Sequence, residues 1–286
     1  MVRNRVQAPK LNAGQHPDWF WSVSGGVDSV AAYLLTRDAL HDNYGKRPVM
    51  VHLDTGIGLP ANRLYLEELA DRMHEQLWTL RTEENFREWV ERDGAPGGGA
   101  HGEVKNELKD RQPSKLNTLA DVPVYVLGLR AGESTHRAGL PKVVEKRRHV
   151  EVYPVHRLSR EQCARIILEH EDVPINPCWL WNHATDCFCL AKGDPSEVDR
   201  VEERFPWFAQ RLREIEEAAS HDGLKGILGW DGLTAVEQDA LEDGQEQLTL
   251  CGPACSRRGS PGPVEEAFRM VLDGASRDAA IAHLEA

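Results

Sequence analysis

The sequence of 286 residues has no apolar run close to the length of about 18 residues that spans a membrane, and residues 1–10 lack the apolar stretch of a secretion signal. We therefore expect a cytoplasmic protein with no membrane partner. Acidic residues outnumber basic ones, and the net charge is −12. This charge excludes a protein that coats nucleic acid with its whole surface, but it leaves a local basic groove open. Cysteine is scarce, and six cysteines in a reducing compartment indicate metal or redox chemistry rather than a disulfide scaffold.

Strands and helices alternate along the first half of the chain. Short apolar runs predict strands at 18–23, 48–53, 77–80, 122–129 and 150–155. Longer periodic runs predict helices at 30–40, 60–73, 83–92 and 159–170, the last beginning with the capping-box pair Ser159 and Gln162. This order predicts an α/β fold, with an open, mostly parallel twisted sheet and helices on both faces.

A Ser/Gly segment lies between the first predicted strand and the first predicted helix. Its residues are Ser24, Gly25, Gly26, Val27, Asp28 and Ser29. In this position backbone N–H groups and the positive end of the helix dipole converge on an anion, and glycine lets phosphate oxygens approach the backbone. A carboxylate at Asp28 repels phosphate unless Mg²⁺ lies between them, whereas an Asp28 that only caps the helix needs no ligand. The segment predicts a phosphate-binding loop, and it lacks the lysine of the Walker sequence.

The SGGVDS segment resembles the pyrophosphate-binding loop (PP-loop) of the adenine nucleotide α-hydrolase superfamily. Enzymes of that superfamily hold the β- and γ-phosphates of ATP and cleave between the α- and β-phosphates. Two further segments resemble motifs of its phosphoadenylyl-sulfate (PAPS) reductase branch: LDTGIGLP, which contains Asp54, Thr55 and Gly56, and GLRAGES, which begins at Gly128. The resemblance covers about residues 18–220 and implies the fold of that superfamily.

The resemblance also implies roles for individual side chains. Asp54 and Thr55 would lie near the adenosine. Arg130 and Arg137 would clamp phosphate, because a planar guanidinium binds phosphate in a bidentate manner; the alternative for each is a surface salt bridge. Glu133 is either a second Mg²⁺ ligand or an ion-pair partner for an arginine. Since all three loops follow predicted strands of one parallel sheet, we expect them at its carboxyl edge, where ligands bind.

The sequence departs from the sulfonucleotide reductases of that branch in two respects. Their first loop is usually degenerate, whereas SGGVDS is intact, and the sequence lacks their cysteine motif of the Glu-Cys-Gly-Leu-His type. We therefore expect an Mg²⁺-dependent enzyme that cleaves ATP to AMP and pyrophosphate and adenylylates a substrate in sulfur transfer or sulfur-nucleotide metabolism. Asp28 and Arg130 are its candidate catalytic residues, with Arg130 stabilising charge as the α–β bond breaks.

Two alternative functions stay open. One is genuine reduction of PAPS or adenylyl sulfate (APS) with an external thiol donor. The other is a non-catalytic nucleotide-binding subunit of a nucleic-acid modification complex. The partners implied by the three hypotheses are a nucleotide substrate, a sulfur-donor protein or thioredoxin-like reductant, and a nucleic-acid substrate.

Four of the six cysteines form two close pairs, Cys187 with Cys189 and Cys251 with Cys255. Two close pairs separated by a long insert are common in four-thiolate metal sites, and a C-x-C pair is too tight for an easy disulfide. We expect these four residues to hold a [4Fe–4S] cluster or Zn²⁺, with free thiols as the remaining alternative. Cys178 is a reserve ligand.

The character of the sequence changes after residue 175. We expect a nucleotide-binding PP-loop domain over 1–175 and a cysteine-containing, mainly helical region over 176–286. Within the second region, amphipathic runs predict helices at about 195–219 and 264–284. Cys163 lies in an earlier predicted helix, and we expect it to be part of the core.

Overall fold

The computed structural model describes residues 18–43, 48–81, 86–93, 122–133, 135–181, 201–219 and 262–285, and six single positions between 108 and 120. In this part of the chain six strands form one sheet in the order β3-β2-β1-β4-β6-β5. The strands are β1 (Trp19–Ser22), β2 (Val49–Asp54), β3 (Leu77–Arg81), β4 (Val124–Leu127), β5 (Val143–Glu145) and β6 (Val150–Val152). All neighbours are parallel except β5 and β6, which form an antiparallel pair at one edge. The predicted α/β class with an open, mostly parallel sheet is confirmed.

Helices lie in the connections between the strands, as parallel pairing requires, and others follow the last strand. They are α1 (Val27–Asn43), α2 (Pro60–Arg72), α3 (Phe86–Asp93), α4 (Thr135–Ala138), α5 (Arg160–Leu168), α6 (Pro206–Ala219), α7 (Pro263–Leu272) and α8 (Arg277–Glu285). The capping box at α5 is confirmed, because Ser159 Oγ accepts from the Gln162 amide at 3.1 Å and the Gln162 side chain accepts from the Ser159 amide at 2.8 Å. Proline at the first position of α2 has the fixed φ that a helix needs at its beginning.

The core lies on both faces of the sheet because successive residues of a strand point to opposite faces. Phe20 packs with Trp78 and Tyr125 on one face. Trp21 packs on the other face against α1, where its ring meets Tyr33 edge-on at 4.9 Å. Helices α1, α5, α7 and α8 contribute to this second cluster, so apolar residues from both ends of the chain share one core.

The structure corrects the sequence analysis at two elements. The single helix predicted at 264–284 is two helices, α7 and α8, separated at Gly274. Gly274 has φ +96°, which is the left-handed conformation in which glycine commonly ends a helix. Strand β5 was missed, because the sequence from Lys142 to Arg148 is mostly charged and shows no clean alternation of apolar and polar residues.

The proposed domain boundary at 175/176 is not tested, and it stays a prediction. Residues on its two sides nevertheless pack together: Trp179 and Phe268 lie in the same cluster as Trp21. In the described ranges no helix is long and apolar enough to cross a membrane.

Candidate active site

The order of the strands places two of the three motifs side by side. The chain runs from β1 outward to β2 and β3 and then returns to β4 on the opposite side of β1. Crevices in open α/β sheets form at such a switch point, beyond the carboxyl ends of the strands. Ser22 at the end of β1 is paired with Leu127 at the end of β4, so the SGGVDS loop and the GLRAGES segment leave the sheet next to each other.

The backbones of the first and third motifs are in very close contact at Gly128. A Cβ atom on Gly128 would lie 2.4 Å from the Ser29 amide nitrogen and 2.5 Å from the carbonyl carbon and oxygen of Asp28. These are backbone atoms, which cannot move aside cheaply. Glycine is therefore required here by contact rather than by φ, and the third motif is held against the first turn of α1.

The SGGVDS segment, which we call the phosphate loop after its predicted ligand, bends at Gly25 and Gly26 before α1 begins. Gly25 has φ +80°, a conformation that L side chains rarely adopt. The hydroxyl of Ser29 donates to the Gly26 carbonyl at 2.9 Å, and the hydroxyl of Ser24 accepts from the Gly26 amide at 3.3 Å. The first turn of α1 consists of Val27, Asp28 and Ser29. Their amides have no acceptor within the helix, as at the beginning of any α-helix.

Three side chains donate hydrogen bonds to backbone carbonyls of the phosphate loop. Asn62 Nδ2 donates to the Ser24 carbonyl at 2.8 Å. Asn176 Nδ2 and Trp179 Nε1 both donate to the Gly25 carbonyl, at 3.1 and 2.7 Å. We call Asn62, Asn176 and Trp179 the loop brace. The brace therefore fixes the orientation of the Ser24 and Gly25 carbonyls immediately before α1.

No pattern in the sequence predicts the loop brace. Its two asparagines are almost completely buried and bond to each other, Asn176 Nδ2 donating to Asn62 Oδ1 at 2.8 Å. Asn176 Oδ1 also accepts from the Cys178 amide at 3.0 Å, which fixes which end of the side chain is oxygen. The only signal in the sequence is the Asn-Pro pair at 176–177, which indicates a turn and not a partner for the loop.

Asp28 and Arg130 form an ion pair between the first and third motifs. Arg130 Nε lies 2.7 Å from Asp28 Oδ2, and the two side chains are only 13% and 17% exposed. Burial raises the pKa of Asp28 above its ordinary value, even though Arg130 opposes that shift. Burial alone would lower the pKa of Arg130, but the Asp28 carboxylate raises it, so the guanidinium stays charged. Asp28 Oδ1 is buried and has no hydrogen-bond partner of good geometry among the residues that the structure describes, although the Cys163 thiol lies near the carboxylate.

Glu133 organises the rest of the third motif. Its Oε2 accepts from the Arg130 amide at 3.3 Å and from the Arg137 guanidinium. His156 Nε2 lies 2.8 Å from the Arg137 carbonyl oxygen, so this nitrogen carries the proton and donates. Both arginines form ion pairs, Arg130 with Asp28 and Arg137 with Glu133, and their role as phosphate clamps stays a prediction. The role of Glu133 as a second Mg²⁺ ligand also stays a prediction.

The second motif forms a turn at the carboxyl end of β2. Asp54 Oδ1 accepts from the Gly56 amide at 2.8 Å, and Asp54 Oδ2 accepts from Arg81 at 2.6 Å. Burial alone would raise the pKa of Asp54, but the Gly56 amide and Arg81 lower it below its ordinary value. Thr55 is buried, and its Oγ1 accepts from the Ile57 amide at 3.4 Å. Contact of this turn with adenosine stays a prediction.

Carboxylate oxygens are preferred ligands of Mg²⁺, and a buried carboxylate oxygen without a donor fits such an ion. Asp28 Oδ1 meets that condition beside the N-terminal amides of α1. The residues of the loop therefore fit an ion that is bound together with phosphate.

The predicted thiolate metal site is not tested. Cys187, Cys189, Cys251 and Cys255 lie outside the described residues, and in the described part no group of three or more His, Cys, Asp or Glu side chains could hold a metal ion. The reserve ligand, Cys178, is buried in an apolar cluster with α3 and α6.

Cys163 is in the core, as predicted. Burial, together with the nearby Asp28 carboxylate, raises the pKa of its thiol well above the ordinary range. The thiol is therefore protonated near neutral pH.

The family comparison agrees with the motifs. A family model described as the phosphoadenosine phosphosulfate reductase domain matches residues 18–184. No curated protein matches the sequence. A solved structure, the phosphate complex of PAPS reductase from Candida auris, is similar at 15% sequence identity and a TM-score of 0.45, covering 58% of this chain and 79% of that chain. Because the family match spans more than half of the sequence, the chain belongs to the phosphoadenosine phosphosulfate reductase domain family.

Proposed function

We propose that the protein is an Mg²⁺-dependent enzyme that cleaves ATP between the α- and β-phosphates and adenylylates an acceptor in sulfur-nucleotide chemistry. Membership of a family of enzymes that use nucleotides such as PAPS supports a nucleotide substrate. The choice of ATP cleavage over reduction of a sulfonucleotide depends on one observation at the phosphate loop.

That observation is the Asp28 carboxylate, whose Oδ1 is buried without a donor among the described residues. A carboxylate at the beginning of α1 repels any phosphate bound there, and a divalent cation removes the repulsion. Mg²⁺ in proteins is commonly held by one or two carboxylates together with the phosphates of a nucleotide such as ATP. The intact loop and its carboxylate therefore favour ATP as the substrate.

The loop amides and Arg130 would act together on the outer phosphates. The N-terminal amides of α1 donate to an anion without needing to rearrange, because the loop brace already fixes the carbonyls of Ser24 and Gly25. Arg130 is held beside the loop by Asp28 and lies 4.0 Å from Glu133, so its charge is in place before substrate arrives. Mg²⁺, held by Asp28, would neutralise the negative charge that develops on pyrophosphate as the leaving group.

The test is pyrophosphate release from ATP with Mg²⁺ and candidate acceptors, sulfate and nucleic acid among them. We expect Asp28→Asn to reduce release at least 100-fold, while Asp38→Asn should leave it unchanged. Asp38 is a matched control because it lies on the same helix with a side chain that is 79% exposed. Thermal unfolding of both variants separates loss of chemistry from loss of fold.

Full pyrophosphate release by the Asp28 variant would contradict the proposal. Release of sulfite from PAPS or APS with a thiol donor and without ATP would support the reductase alternative instead. Tight binding of ATP with no turnover, even with every acceptor and partner added, would indicate a non-catalytic subunit.

A further inference from the structure

One segment of this acidic protein is strongly basic. The chain has a net charge of −12, yet residues 137–160 contain seven Lys or Arg residues and only two Glu. The basic residues are Arg137, Lys142, Lys146, Arg147, Arg148, Arg157 and Arg160. Four of them lie in the seven residues from Lys142 to Arg148, which include strand β5. We call residues 142–148 the basic edge.

The basic edge forms the border of the sheet and begins beside the nucleotide site. Among the described residues, strand β5 is the last strand of the sheet and pairs only with β6. Its register pairs Val143 with Val152, at the carboxyl end of β6, and Glu145 with Val150, at the opposite end. Beyond β6, the His156 carbonyl accepts from the Ala131 amide of the third motif at 2.8 Å. Lys142 therefore lies toward the phosphate-binding side, and Arg147 and Arg148 lie at the far end of the same border.

Most of these cations are exposed and not neutralised. Lys142, Arg147, Arg148 and Arg157 are exposed, and none has an acidic partner among the described residues. Lys146 has only a distant partner, Glu151 at 3.9 Å. Some arginines elsewhere, such as Arg63 and Arg165, are paired with a glutamate one turn along their helix, and the basic edge differs in grouping its exposed cations within seven residues. An uncompensated row of cations on an acidic protein is not explained by the stability of the fold.

We propose that the basic edge binds the phosphate backbone of a nucleic acid and leads it toward the nucleotide site. A protein partner would need an apolar centre in the interface, and the only exposed apolar side chain of this segment is Val143, at 51%. Interfaces with nucleic acid are much more polar and more positive, as this border is. Arginine side chains also bind phosphate in a bidentate manner.

The length of the basic edge matches the spacing of phosphates along a nucleic acid. Strands rise about 3.3 Å per residue, so Lys142 and Lys146 are about 13 Å apart along the border. One strand of a nucleic acid places a phosphate every 3.4 Å or so along the helix axis. The border therefore spans about four successive phosphates, with Arg147 and Arg148 beyond them.

The inference goes beyond the proposed ATP chemistry and is tested without it. The probe is a fluorescein-labelled 20-nucleotide single strand, as DNA and as RNA, with the corresponding duplex as a second arm; anisotropy gives its affinity from 50 to 300 mM salt. We expect R147Q/R148Q to remove two phosphate contacts. The salt slope for a single strand should fall by about 1.4, and affinity at 0.1 M salt should fall about 25-fold.

The control is R211Q/R269Q, which removes the same charge from exposed arginines of α6 and α7. It should change affinity by less than about twofold. Binding of the probe is measured without ATP or Mg²⁺, so failure of ATP cleavage and failure of nucleic-acid binding are distinguishable. Thermal unfolding confirms that each variant is folded, and K142Q/R157Q replaces R147Q/R148Q if the latter is unstable.

Three results would overturn the proposal. The first is no binding of any probe by the wild type at 50 mM salt. The second is an equal loss of affinity in R147Q/R148Q and R211Q/R269Q, which indicates diffuse electrostatics. The third is displacement of the probe by polyglutamate as effectively as by nucleic acid of the same total charge, which indicates an acidic protein as the partner.

Discussion

We expect Gly128→Ala to disrupt the close contact between the first and third motifs. The added Cβ would lie 2.4 Å from the Ser29 amide nitrogen, whereas ordinary contacts begin at about 3.4 Å. The two backbones must therefore separate by about 1 Å. Overpacking of this kind costs about 1–3 kcal/mol, and a shift of 1 Å in a catalytic group can reduce the rate about 100-fold. The shift acts directly on Arg130, two residues further along the chain.

The matched control is Gly132→Ala, in the same motif. A Cβ on Gly132 meets no atom within 4 Å, so this variant should fold and bind like the wild type. The measurements are ATP affinity, pyrophosphate release and the free energy of unfolding in urea. We expect a large loss of ATP affinity and release in Gly128→Ala only. Indistinguishable behaviour of the two variants would refute the close packing at the switch point.

Three further predictions concern the brace, a helix cap and the second motif. Asn176→Asp replaces a buried donor with an oxygen that faces the Gly25 carbonyl; the unsatisfied group should cost about 1–3 kcal/mol in urea unfolding and weaken ATP binding, and unchanged affinity would argue against the brace. Ser159→Ala removes the cap of α5 and should lower the free energy of unfolding by about 1 kcal/mol without changing ATP affinity. Asp54 has a lowered pKa, so its ion pair with Arg81 stabilises the fold above the ordinary aspartate pKa and is lost as pH falls through the folded value. Asp54→Asn should therefore destabilise the protein at pH 7, and the difference from wild type should shrink toward pH 3; a difference independent of pH would contradict this.

The predicted features that the structure confirms come from local patterns. Apolar runs predict the five parallel strands, and the Ser/Gly segment between a strand and a helix predicts the glycine turn before α1, whose binding of phosphate stays a prediction. Asp28 and Arg130 were named separately as catalytic candidates, because a carboxylate in a phosphate loop and an arginine in a matching motif each have a chemical reason. Their contact with each other depends on the order of the strands, which the sequence does not specify.

What was missed depends on contacts between distant parts of the chain. Asn176 and Trp179 bond to the Gly25 carbonyl across 151 and 154 positions of sequence, and neither residue belongs to a pattern that indicates such a bond. The break at Gly274 was missed because a single glycine in a periodic apolar run is tolerated inside a helix as well as at its end. The border strand was missed because charge conceals the alternation of a strand.

The loop brace has a consequence for the order in which the protein becomes competent. The phosphate loop precedes Asn176 and Trp179 by 151 and 154 positions, so it is synthesised before the side chains that bond to its carbonyls. Phe268, whose ring packs against Trp179 at 4.5 Å between centroids, is made later still. A nascent chain that ends before these residues holds the glycine turn without the groups that orient its carbonyls. The glycine turn should therefore reach its ligand-binding form only after these later residues have been made and have folded onto it.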